Sequence, residues 1–179
     1  LLDAAVKVAD TFLDSGTIVS TVGASNQMKD SRDASFLGTE ENLPMAVLVD
    51  SASASAAEIV AGALKNNNRA ILIGDKTFGK GSVQILYDMD DGSALKLTVA
   101  QYLTPGDVSI QSVGVIPDLQ LMPIYIEDDM IDFYNSDEIR RESTLKKHLV
   151  HEATIVEKPF DLMGYLYVKE RDDFKPEEG

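Results

Sequence analysis

The chain has 179 residues and no cysteine, which excludes a disulfide framework and a thiol nucleophile. Its net charge of −14 argues against nucleic acid and against an anionic membrane surface as partners, because both call for clustered lysine and arginine. An apolar fraction of 44% is ordinary for a globular protein of one domain or slightly more, and no stretch approaches the roughly 18 uncharged apolar residues of a membrane span.

The sequence opens LLDAAV without an initiator methionine and so reads as a piece of a longer chain, from which targeting segments cannot be judged. Leu2, Ala5, Val6, Ala9, Phe12 and Leu13 share one face of a helix over Leu1–Leu13, which Asp14-Ser15-Gly16 ends. Thr17–Val22 is a β-branched run that reads as a strand, and the polar stretch 23–42 as a hairpin or surface loop. Two short apolar runs, Ala46–Val49 and Ala70–Ile73, carry turn residues at both ends. Between them Ile59, Val60, Ala63 and Leu64 recur at helical spacing, and Asn66-Asn67-Asn68 is a stop. The expectation is a strand-helix-strand unit with its two strands parallel in one sheet. After Lys80 the period becomes two, and Asp90-Asp91-Gly92 between Ser82–Met89 and Ser93–Leu103 marks a hairpin. From Pro123 onward acidic clusters alternate with basic pairs. We read 1–122 as a core and 123–179 as a C-terminal extension, with a charged helix over Ser136–Val150 and an apolar docking segment at Phe160–Val168.

Chemistry concentrates at the two turns of the central unit. Ser51, Ser53 and Ser55 crowd the first, and Lys80 lies between Gly79 and Gly81 after the second strand. Serine needs a base to become a nucleophile. The only histidines, His148 and His151, sit in the charged extension, so a Ser-His-Asp triad is disfavoured; as an H-x-x-H pair they lack a third metal ligand. Lysine is the remaining base, and a lysine serves only if burial or a nearby cation depresses its pKa, since at the reference value of about 10.4 it is neutral in about one molecule in 10³ at pH 7. Phe78 can shield Lys80, and the flanking glycines allow close backbone approach. Against this stands a plain turn lysine in water. Ser55, three residues before Glu58, is equally a helix N-cap in a capping box, worth about 1 kcal/mol. Residues 74–80 also fit the G-x-x-x-x-G-K phosphate loop, but Gly81 stands where a hydroxyl is required and a β pattern follows where a helix is required. Nucleotide binding is therefore not expected. Asp88, Asp90, Asp91 and Gly92 hint at calcium but lack the distal glutamate, and a turn explains them.

The run SASAAEIVAGAL followed by TFGKGSVQ resembles the tail-specific, or carboxyl-terminal processing, serine peptidases. LLDAAVKVADTFLDSGTIVS, DGSALKLTVAQYLTP and GVIPDL extend the resemblance over Leu1 to about Leu121. It implies an α/β fold with the strand-helix units of the ClpP/crotonase-like superfamily, and a Ser-Lys dyad that needs no metal or cofactor. By that analogy the nucleophile is Ser55, although Ala57 stands where the family commonly has serine; Ser53 is the fallback and Ser51 structural. Lys80 is the base, Gln84 the glutamine that orients it, and the Ala56 N–H one oxyanion donor. The second donor is a glycine just before the LLDAAV segment, so the chain alone is expected to be inactive. Substrates would be proteins or peptides with exposed C-termini, chosen by a PDZ domain that is not in this chain, and the compartment the periplasm or cell envelope. Two other readings stay open: a non-catalytic binding module on the same fold, and an assembly domain that forms a homo-oligomer through 123–179.

Overall fold

The computed structural model describes residues 1–23, 27–40, 43–127, 130–133, 141–145 and 163–168. Helix α1 spans Leu2–Asp10 and α2 spans Ala56–Asn66. The strands, in chain order, are β1 Thr17–Gly23, β2 Met28–Asp33, β3 Ala46–Val49, β4 Ile71–Gly74, β5 Ser82–Asp88, β6 Ala94–Thr104, β7 Val108–Ser109, β8 Leu119–Glu127, β9 Met130–Phe133 and β10 Met163–Val168. They form two sheets. One is antiparallel in the order β2-β1-β6-β5, with β7 on β6. The other runs β10-β8-β4-β3, all parallel, with β9 antiparallel on β8. The polar stretch after β1 is thus a hairpin, and the unit β3–α2–β4 has the parallel pairing its sequence pattern calls for.

Helix α2 is the hub of the packing. Ile59, Ala63 and Leu64 meet Ala5, Ala9 and Leu13 of the first helical segment and Ile18 and Val19 of β1. Ala61 faces Val49, Leu72, Ile110 and Val115 in a second cluster. The buried positions of a helix packed in this way should be apolar, and those of α2 are, with one exception: the fully buried Glu58.

The C-terminal part joins the second sheet, and one expectation about it changes. Strand β8 runs unbroken across the 122/123 boundary, and Met163–Val168 docks by adding β10 beside it. The helix expected over Ser136–Val150 is absent from its described part, because extended Arg141 and Leu145 flank a three-residue 3-10 turn, Glu142–Thr144. Tertiary bonds override helical preference here: the Arg141 side chain and the Glu142 N–H are engaged by the loop between β4 and β5. The rest of that stretch, His148 and His151 included, lies outside the described residues.

Candidate active site

The turn from β3 into α2 begins as an Asx turn. Asp50 Oδ1 accepts from the N–H groups of Ala52 and Ser53 at 3.0 and 2.9 Å and from the Ser53 hydroxyl at 3.0 Å, while Ser53 Oγ accepts the Asp50 N–H at 3.1 Å. Ser53 therefore shapes the turn. A Ser53→Ala variant should lose about 1–2 kcal/mol of stability and keep whatever activity the chain supports, read from urea midpoint and turnover side by side.

Ser55 has a left-handed backbone, φ 56° and ψ −113°, and its side chain makes no capping bond. A non-glycine residue in that region is strained, and such strain collects at functional sites. A serine lifted on a sharp strand-to-helix turn is also the arrangement that exposes a nucleophilic hydroxyl. The N-cap role is met from the other direction, by Glu58 Oε2 accepting the Ser55 N–H at 2.8 Å. Ala56 opens α2, so its N–H is one of the donors a helix leaves without an intrahelical partner.

The second turn, residues 75–81, has neither helix nor strand. Its polar backbone is satisfied from outside, and Glu58 is the centre of that satisfaction. Oε1 accepts the Thr77 hydroxyl at 2.5 Å and the Gly79 N–H at 2.7 Å. Oε2 accepts the Lys80 N–H at 2.8 Å, in addition to the Ser55 N–H. The two turns thus meet on one carboxylate oxygen, which brings the backbones of Ser55 and Lys80 side by side. Burial pushes the Glu58 carboxyl above its ordinary 4.5, against the bonds from Thr77, Gly79, Ser55 and Lys80 that favour the charged form. Thr77, also fully buried, accepts the Val115 N–H at 2.6 Å and ties the site to the segment before β8. Phe78 N–H donates to the Ser53 carbonyl at 3.0 Å, a further stitch between the turns.

Lys80 is partly buried, and no carboxylate among the described residues pairs with its ammonium. The chain continues from it into β5, not into the helix that a phosphate loop requires. Gln84 lies on β5 and is exposed; its side-chain amide donates to Thr98 across the hairpin at 3.3 Å. Asp91 accepts from Ser93 N–H and Oγ at 2.9 and 2.6 Å, so the acidic run there is a hairpin turn. Three contributors escape the sequence pattern. Glu58 shows there only as a capping-box partner. Gln111, whose Oε1 accepts the Gly81 N–H at 3.0 Å, and Arg141 carry no signal at all. An acidic residue directly before the apolar run Ile59–Leu64 is the available clue to the first.

The family model for peptidase family S41 matches residues 1–121. A carboxy-terminal-processing protease of Bartonella bacilliformis is 41% identical over 150 residues, 83% of this chain and 33% of that protein. A chloroplastic C-terminal processing peptidase of Tetradesmus obliquus is 40% identical over 130 residues, 73% of this chain and 28% of that protein. Among solved structures, a photosystem II D1 C-terminal processing protease superposes with a TM-score of 0.64 at 40% identity, over 67% of this chain and 31% of that one. The chain spans about a third of the length of these relatives. With two thirds of its residues matched by the family model and with the α/β core that the similarity implies, the chain belongs to peptidase family S41.

Proposed function

We propose that the chain carries the catalytic core of a serine endopeptidase that cuts proteins near exposed C-terminal tails with a Ser55–Lys80 dyad. The observation that carries this is the shared acceptor: Glu58 Oε2 holds the N–H of Ser55 and the N–H of Lys80 together, with Ser55 in a strained left-handed turn. Lys80 Nζ takes the Ser55 Oγ proton as Oγ bonds to the scissile carbonyl carbon. The developing oxyanion is met by the Ala56 N–H at the positive end of α2, with a second donor supplied, on the family resemblance, from upstream of Leu1. Collapse breaks the C–N bond, and Lys80 returns the proton to the leaving amine. Water, deprotonated by the same lysine, then frees the acyl group and restores Ser55. Gln84 binds Thr98 through its amide nitrogen, which leaves its carbonyl oxygen to orient the lysine. No metal or nucleotide takes part.

The substrates are proteins or peptides, the C-terminal part serves a homo-oligomer, and the compartment is the periplasm or cell envelope. The bacterial and chloroplastic names of the relatives accord with such a location. A binding module would have no use for a strained serine held against a lysine loop.

The test is cleavage of an unstructured protein with an apolar C-terminus by the full-length parent. Ser55→Ala and Lys80→Ala should each lower turnover by about 10³-fold or more while remaining folded. Retained turnover in either variant removes the dyad, and a folded parent that never cleaves brings the binding module forward.

A further inference from the structure

Arg141 lies beyond the residues that the family model matches, in a stretch whose sequence reads as a charged helix, and yet it is only 9% exposed. Its guanidinium donates to the Lys76 carbonyl, to the Thr77 carbonyl at 3.1 Å and to Asp75 Oδ2 at 2.9 Å. The next residue, Glu142, gives its N–H to the Phe78 carbonyl at 3.1 Å. Three consecutive carbonyls of the 75–81 loop are therefore held by residues 141–142, while Glu58 holds the following two N–H groups. Arg141 is itself braced: its N–H donates to Thr144 Oγ1 at 3.1 Å, and that hydroxyl donates back to the Arg141 carbonyl at 2.7 Å. A planar guanidinium spreads five donors over a fixed fork and so reaches two carbonyls and a carboxylate at separate points, whereas an ammonium offers three donors from a single nitrogen.

We propose that Arg141 is a positioning residue for Lys80. By fixing carbonyls 76–78 it sets the path of the loop, and so the direction from which the Lys80 side chain reaches Ser55. The described hydrogen bonds of its guanidinium all go to residues 75–77, so it acts through the loop and not on the reacting atoms. The inference rests on the Ser55–Lys80 reading for its catalytic meaning, but its physical content, a loop held from the C-terminal part, can be tested without turnover.

The experiment is amide hydrogen exchange on this chain with Arg141→Met and Arg141→Lys, read at Gly79 and Lys80 against β1 and β6. Arg141→Met should speed exchange at Gly79 and Lys80 by about 30-fold and leave β1 and β6 within about twofold; Arg141→Lys should fall between. In the cleaving parent, kcat should drop about 100-fold with KM unchanged, because a displaced base harms the chemical step and not binding. If Arg141→Met does not fold, Asp75→Asn, which weakens one of the three contacts, should give the same local pattern at smaller amplitude. Unchanged loop exchange in a folded variant overturns the proposal, as does exchange that accelerates equally throughout β1 and β6. Faster loop exchange beside a wild-type parent that never cleaves supports the hold on the loop and sinks only the Ser55–Lys80 reading.

Discussion

A Glu58→Ala variant is expected to be barely folded at room temperature. The substitution leaves the Thr77 hydroxyl and the N–H groups of Ser55, Gly79 and Lys80 without their acceptor in a fully buried position. Each stranded donor costs about 1–3 kcal/mol. Relief from burying a carboxylate offsets part of this, and a net loss of roughly 4 kcal/mol or more is a large share of a total stability of about 5–15 kcal/mol. Glu58→Gln should be far milder, about 2 kcal/mol. Its amide oxygen can keep Ser55 and Lys80, and its NH₂ can donate to the Thr77 hydroxyl oxygen, so two donors lose their acceptor, the Gly79 N–H and the Thr77 O–H, against four in Glu58→Ala. Glu58→Gln should accordingly retain most turnover where Glu58→Ala retains none.

The same carboxyl gives the protein a pH signature. Burial, the largest influence, raises its pKa above 4.5 in the folded state. Between 4.5 and that raised value the folded chain binds more protons than the unfolded one, so stability falls as pH rises through the window. Below 4.5 the contribution is fully present; above the raised value it is gone. Urea unfolding of wild type and Glu58→Gln from pH 4 upward should show this slope in the first and its loss in the second. Parallel curves would mean that Glu58 titrates as it does in the unfolded chain.

The second large effect is expected at Gly114. Its φ is +77°, and a Cβ there would fall on the Thr77 carbonyl oxygen and lie 2.9 Å from Thr77 Oγ1. Thr77 can yield only by giving up its bonds to Arg141, Glu58 or Val115. Gly114→Ala should cost roughly 3 kcal/mol, the sum of a left-handed penalty and a steric one, and should lower turnover by disturbing the carboxylate. Gly106→Ala is the matched control. It has a similar φ of +82° but only Val108 Cγ2 nearby, at 3.9 Å, so it should show the backbone penalty alone, about 1 kcal/mol. Equal urea midpoints for the two variants would remove Thr77 as the reason.

The β3–α2–β4 unit and the β5–β6 hairpin were legible because their information is local: β-branched runs, helical spacing, an Asp-Gly turn. Ser55 and Lys80 stand out as candidates for the same reason, each in a compact motif. What joins them does not. Glu58 looked like a capping residue because the capping half of its role involves a neighbour three residues away, whereas its other bonds reach across about 20 residues of chain. Arg141 falls within the charged helix expected over Ser136–Val150, and nothing near it in sequence advertises the carbonyls at 76–78. Composition assigns a charge-rich stretch to solvent, and only the tertiary fold shows which cation is taken in. Gln84 is expected on the resemblance to orient Lys80, and the partner its amide nitrogen has, Thr98, follows from the register of the hairpin.

The ties around Glu58 and the 75–81 loop join segments near residues 55, 80, 115 and 141. Such closures are slow compared with helix or hairpin formation, because chain entropy must be spent before the bonds form. During synthesis the segment at 141 emerges last of the four. A growing chain would therefore hold its serine and lysine turns on Glu58 for some seconds, at about 5–20 residues per second, before the ties from Arg141 to the loop can form. The order of the segments along the chain thus leaves the hold on the 75–81 loop as the last of these ties to close.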